Sequence, residues 1–235
     1  MENEPTWKAQ TAFTCYLTLA AGILAGSIIL AIILYMLGLD LLELTFPTAL
    51  ISLPITEGTI LGITFLFARQ KGAGLKQLGL KKPTPKTILI VSIAAFLLLL
   101  LASSISLIQE TILGPDPEEA KLLTDAVLAR NLLQLTALIA ISLALVGPAE
   151  ELAFRGFIQK GFENSFGATT GLLVASILFG LLHGLNSLRS IIPVTVVSLF
   201  IGYVWQKTGG NTSASAWMHG LYDATAIALT YLAYM

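Results

Sequence analysis

The stretch Leu132-Leu-Gln-Leu-Thr-Ala-Leu-Ile-Ala-Ile-Ser-Leu-Ala-Leu-Val146, followed at once by Gly147-Pro148-Ala149-Glu150-Glu151-Leu152-Ala153-Phe154-Arg155-Gly156, decides the fold. An apolar run suited to the interior of a bilayer leads directly into two adjacent carboxylates, and the helix-forming residues continue to about position 165. A single helix over 132–165 is therefore expected, bent at Gly147-Pro148, because proline removes a backbone donor and crowds the preceding turn. The alternative is a break there, with 149–165 forming a separate span.

Composition fixes the surroundings of that helix. Of 235 residues, 55% are hydrophobic and 11% charged, where a soluble domain carries roughly 25% charged. A soluble globule is excluded. Since one bilayer crossing takes roughly 20 apolar residues, the chain predicts an all-α, polytopic transmembrane helix bundle of seven to eight spans, its active site within the bilayer. Residues 1–235 read as one integral membrane domain, with a catalytic bundle over about 132–235. The 13 Lys and Arg against 14 Asp and Glu offer no basic surface for nucleic acid. Cys15, the only cysteine, leaves no intramolecular disulfide and no multi-thiolate zinc site.

Outward from 132–165, apolar segments lie at about 12–37, 46–68, 87–108, 167–185, 190–206 and from 212 to the C-terminus. Glu2, Glu4 and a single Lys8 precede the first, whose length exceeds a signal-peptide core, so it reads as a retained anchor helix. Gly38, Asp40 and Glu43 mark its end. Pro54 and Glu57 interrupt the second segment: the proline predicts a kink, and the glutamate lines a polar interior or sits in a hydrogen-bonded pocket. The loop 69–86 holds Arg69, Lys71, Lys76, Lys81, Lys82 and Lys86 without an acid, and Pro83 and Pro85 oppose a regular helix there. A short helix is expected from Glu118, after the breaker Gly114-Pro115-Asp116-Pro117.

Positive residues near span ends favour the cytoplasm. With the N-terminus inside, ten of the 13 lie inside, namely Lys8, the six of the loop, Arg155, Lys160 and Lys207, against Lys121, Arg130 and Arg189 outside. The preferred arrangement is N-terminus cytoplasmic, C-terminus out, in a multi-pass membrane protein bathed in lipid.

Few ionisable groups remain inside the spans, where each buried charge costs at least about 2.5–3.5 kcal/mol on insertion scales and so is paired or does chemistry. Glu151 and Arg155 stand at i,i+4 and share a helix face, whereas Glu150 projects about 100° away. The only two histidines, His183 and His219, both lie in apolar segments. Glu150 lies 15 residues before Ser165 and His183 lies 15 after Ala168, so each sits about 22 Å along a helix from the turn at 166–167, and they can meet across a hairpin. His219 and Asp223 share a face at i,i+4, about 12 and 18 Å along the helix from Asn211, which follows the Gly209-Gly210 turn. Two carboxylates and two imidazoles suit water activation, by a general base or through a metal; His and carboxylate ligands also suit zinc, drawn from Glu150, His183, His219 and Asp223. A buried polar network that fixes packing is the bland alternative. Intramembrane Glu, His and Asp also build proton relays, but no internal repeat of a transporter is present, and no Gly-x-Ser-x-Gly setting or phosphate loop occurs.

Three ordered motifs in these segments resemble the CPBP family of intramembrane proteases (CAAX prenyl endopeptidase and bacteriocin-processing, or Abi). Glu150-Glu151-Leu-Ala-Phe-Arg155 is similar to its Glu-Glu-x-x-x-Arg, Phe179-Gly-Leu-Leu-His183 to Phe-x-x-x-His, and His219-Gly-Leu-Tyr-Asp223 to His-x-x-x-Asn/Asp. The resemblance implies an intramembrane endopeptidase, glutamate-dependent or metal-dependent, that cuts prenylated proteins near their C-termini or processes small peptides. It implies that Glu150 and His183 activate water, that His219 and Asp223 stabilise the oxyanion, and that Glu151, Arg155 and Phe179 support the site. At Asp223 an ionised carboxylate repels an oxyanion where Asn donates to it, so this residue acts there as the neutral acid, orients His219 or binds a metal. A membrane immunity or scaffolding protein is the non-enzymatic alternative, and a proton-coupled transporter a further one.

Overall fold

The computed structural model describes residues 6–38, 46–117, 121 and 128–234. Asp40, Glu43 and the start of the helix expected from Glu118 lie outside the described residues. Among the described residues the chain is all-helical, with seven long helices: α1 (Ala9–Met36), α2 (Phe46–Gln70), α3 (Pro85–Leu113), α4 (Leu132–Phe166), α5 (Ala168–His183), α6 (Ile191–Lys207) and α7 (Thr212–Tyr234). Five are long and apolar enough to cross a membrane: α1, α2, α3, α4, and α6 with the turn Leu188–Ser190 before it. The 16-residue α5 is apolar but shorter. Large apolar side chains such as Ile28, Leu97 and Leu100 face outward, as a bilayer-embedded bundle requires. The protein is an integral membrane protein.

The α4 segment is one helix of 35 residues, so no separate span forms at 149–165. The path survives Gly147-Pro148 because the hydrogen-bond ladder widens to the π form over Ser142–Val146, which relieves crowding by the proline ring. The π form returns over Leu152–Gln159, leaving Gly147–Glu151 as one α-helical turn between two wide ones. Such turns concentrate at functional sites. All eight residues of Leu152–Gln159 are buried, so this half of α4 is wrapped by protein on every side. Phe154, Phe157 and Ile158 pack with Trp7, Leu19, Ile60, Leu78 and Phe179 in the main core.

Pro85 opens α3 instead of blocking a helix. It stands at the first helical position, where its missing N–H is unneeded, and Thr84 caps the helix by accepting from the Thr87 N–H. Pro54 lies inside the continuous α2. The segment between α2 and α3 packs closely. Gly79, at φ +85°, lies so near Gly210 that a Cβ would come within 2.5 Å of its carbonyl oxygen. Leu78 and Gly79 accept hydrogen bonds from Thr212, and Lys81 donates to Gly209.

These contacts gather four regions at one end of the bundle. There the Trp7 indole donates to Phe157, Lys8 to Asn164, and Lys160 to Gln77. At the other end Arg189 pairs with Asp116 at 3.3 Å, joining the turn before α6 to the end of α3. Arg155 is 1% exposed and paired inside the bundle, so it is no part of the basic surface.

Candidate active site

Close approach of α4 and α7 builds the site. A Cβ on Gly147 would stand 2.6 Å from the Ala216 carbonyl oxygen, and one on Gly220 would stand 2.8 Å from that of Ser142. Two facing glycines thus let the backbones touch, as small residues do between membrane helices. The contact carries Glu150 and Glu151 against His219.

His219 is held from both sides. Its Nδ1 lies 3.0 Å from Glu151 Oε1, and because a carboxylate only accepts, this nitrogen carries the proton. Its Nε2 faces Glu150 Oε2 at 3.5 Å and Asp223 Oδ2 at 3.7 Å. The other oxygen of Glu151 lies 3.2 Å from Arg155 Nε; this is an ion pair by distance whose angles do not make a hydrogen bond. Arg155 Nη2 donates to the carbonyl and the hydroxyl of Ser198 on α6, and the guanidinium lies over the Phe179 ring. Glu151 and Arg155 are fully buried, where a charge pair is tolerated only when further hydrogen bonds complete it.

Phe179 is the hub of the apolar side. Its ring meets Phe154 edge-on, with centroids 4.6 Å apart, and touches both His183, at 4.5 Å, and His219, at 5.9 Å. His183 Nδ1 lies 3.0 Å from the Phe179 carbonyl one turn earlier. A carbonyl only accepts, so Nδ1–H donates, and in the neutral tautomer this leaves the lone pair on Nε2.

Glu150 and His183 line one cavity of about 530 Å³, bounded by α1, α2, α4 and the end of α5. Among the described residues no hydrogen bond or ion pair joins His183 to Glu150 or His219; what brings His183 and Glu150 together is this shared cavity. Glu150 is the element common to both halves, open to the cavity on one side and facing His219 on the other. Asp223, its side chain 25% exposed, is more exposed than Glu150, Glu151 or His219.

Two participants escaped the candidate residues drawn from the sequence. Ser198 braces Arg155, and nothing in its local sequence marks it. Glu57 of α2 lines the same cavity as Glu150 and is buried; its signal was its standing as the lone acid within an apolar segment. Among the described residues no group of three or more His, Cys, Asp or Glu side chains is arranged to hold a metal ion. Glu150, His183, His219 and Asp223 do not, as placed, form the three-ligand set a catalytic zinc takes.

Among curated proteins and among solved structures, nothing matches the chain. A family comparison does: residues 132–225 match the family described as Rce1-like, type II CAAX prenyl endopeptidase. That segment runs from the start of α4 to just past Asp223 and contains all three motifs and both histidines. Residues 132–225 are thus similar to the Rce1-like type II CAAX prenyl endopeptidases, a match consistent with the CPBP resemblance carried by the three motifs.

Proposed function

We propose that the protein is an intramembrane endopeptidase whose hydrolytic water is activated by Glu150 and His183. The observation that supports this reading best is the position of Glu150, with one face on the cavity it shares with His183 and another 3.5 Å from His219 Nε2. A water in the cavity gives its proton to Glu150 or to the free Nε2 of His183 as its oxygen attacks the scissile carbonyl; the same proton later passes to the leaving amine. The carbonyl oxygen becomes the oxyanion, and His219 donates to it from Nε2. Carboxylates on both sides of that ring, Glu151 at Nδ1 and Glu150 near Nε2, suit a ring that donates from both nitrogens. Asp223 completes the oxyanion site as a neutral acid or by orienting His219. Glu151 and Arg155 hold His219 in place.

The substrate class is a membrane-associated peptide or prenylated protein, bound with its cleavage site in the cavity. The end of the bundle that carries Lys8, the 71–84 segment and the 208–211 turn faces the cytoplasm, a reading supported by the exposed Lys8, Lys71, Lys76, Lys81 and Lys82 there.

The test is product analysis by mass spectrometry after incubating the purified chain with a prenylated CAAX-type peptide, with and without prior chelator dialysis. A single endoproteolytic cut that survives the chelator supports the reading. Absence of any cut speaks against the peptidase, and activity lost to chelator and restored by zinc speaks against Glu150 as a metal-free general base.

A further inference from the structure

The cavity has one mostly apolar wall and one wall with a polar stripe, and both come from outside the matched 132–225 segment. On α1, Ile23, Leu30, Ala31 and Leu34 present carbon to it, with Ser27 the one polar residue among them. On α2, Thr48, Ser52 and Thr56 recur every fourth residue and so occupy one helix face, with Glu57 beside the last.

That second wall is rich in acceptors. The Ser52 hydroxyl donates its hydrogen to the Ala49 carbonyl, leaving its oxygen to accept. Glu57 is 3% exposed, and its Oε2 is buried without a hydrogen-bond partner among the described residues. A buried carboxyl oxygen without a donor costs stability that an incoming donor recovers. No lysine or arginine lines the cavity, and none of its hydroxyl, amide or imidazole donors is hydrogen-bonded to Glu57 Oε2 among the described residues, so a donor carried by a ligand can satisfy it. A peptide backbone brings N–H groups in series, and an apolar tail on that peptide matches the α1 wall.

We propose that Glu57 is a substrate-binding residue, accepting a hydrogen bond from a backbone N–H of the peptide close to the bond that Glu150 and His183 hydrolyse. The peptide lies along the α2 stripe with its apolar tail against α1. This assignment rests on the endopeptidase reading and adds to it a residue from the N-terminal half, where none of the three motifs lies.

The experiment is equilibrium binding to the full chain in detergent, read by fluorescence anisotropy. The probe is a labelled prenylated CAAX-type peptide whose scissile amide is replaced by a ketomethylene, together with a series of versions each carrying one N-methylated amide. N-methylation at one position near the replaced bond is expected to weaken binding to the wild type by about tenfold or more. Glu57→Met, which removes the acceptor at similar length, is expected to bind the parent probe more weakly and to lose less than about twofold on the same N-methylation. Glu57→Gln, which keeps an acceptor oxygen, is expected to retain the wild-type sensitivity. A merely structural role for Glu57 does not produce that coupling. If Glu57→Met is as sensitive as the wild type, or if no N-methyl position matters to the wild type, the assignment falls. Should Glu57→Met fail to fold by thermal unfolding, Glu57→Leu takes its place, with the same two outcomes. Coupling seen alongside failure to cut the unmodified peptide refutes the endopeptidase reading while keeping the contact; cutting without coupling does the reverse.

Discussion

His219 Nδ1 lies 3.0 Å from Glu151 Oε1 across 68 positions of sequence, and the second oxygen of the same carboxylate lies 3.2 Å from Arg155 Nε. One carboxylate therefore fixes a cation on its own helix and an imidazole on α7. Removing it by Glu151→Ala leaves Arg155 buried and unpaired, which costs about 3–5 kcal/mol. Chemical or thermal unfolding in detergent is expected to show that loss. Unchanged stability would mean the pair is not buried as described.

The glycine contact between α4 and α7 sets the distance from Glu150 to His219. In Gly147→Ala the new methyl group meets the Ala216 carbonyl, and in Gly220→Ala it meets that of Ser142. Either change forces the helices apart, at about 1–3 kcal/mol of overpacking, and displaces His219. A shift of about 1 Å at reacting groups costs on the order of 100-fold in rate, so peptide cleavage is expected to fall by that order. Gly62→Ala, where nothing lies within 4 Å of the added carbon, is the control and should leave the rate unaltered.

Asp223→Asn is expected to keep activity within about tenfold of the wild type, because an amide donates to an oxyanion without needing a proton on the group. The rate of peptide cleavage by the folded variant decides it. A loss of several orders of magnitude would instead give Asp223 a role that needs a carboxylate.

Much of this was legible in the residues because bilayer burial makes polar positions few. Seven apolar segments became seven helices, and helical rise alone put Glu150 and His183 at one depth; they now line one cavity. The spacing of Glu151 and Arg155 likewise predicts their pairing. What the sequence hid depends on partners distant along the chain. Ser198 braces Arg155 only because α6 packs against α4. Gly147 and Gly220 matter only as a facing pair. The continuity of α4 through Pro148 depends on the π-helical turn at Ser142–Val146, which no local propensity announces. Pro85 was legible but misread, since a proline after Thr84 starts a helix as readily as it stops one.

Sidedness is open to direct labelling. Cys15 is fully buried, so the native background should remain silent toward a membrane-impermeant maleimide. In intact cells Leu188→Cys is expected to react and Lys76→Cys to stay protected until the membrane is opened. The reverse pattern would invert the orientation given to the bundle.

The central claim, that Glu150 and His183 activate the water, is tested most directly by single-turnover cleavage of a membrane-associated peptide by purified Glu150→Ala and His183→Ala variants, alongside their peptide affinity. The account predicts that each substitution lowers the cleavage rate by about 100-fold or more, the reach of general acid–base catalysis, while the peptide still binds and the protein stays folded. A variant of either residue that cuts at the wild-type rate would contradict it.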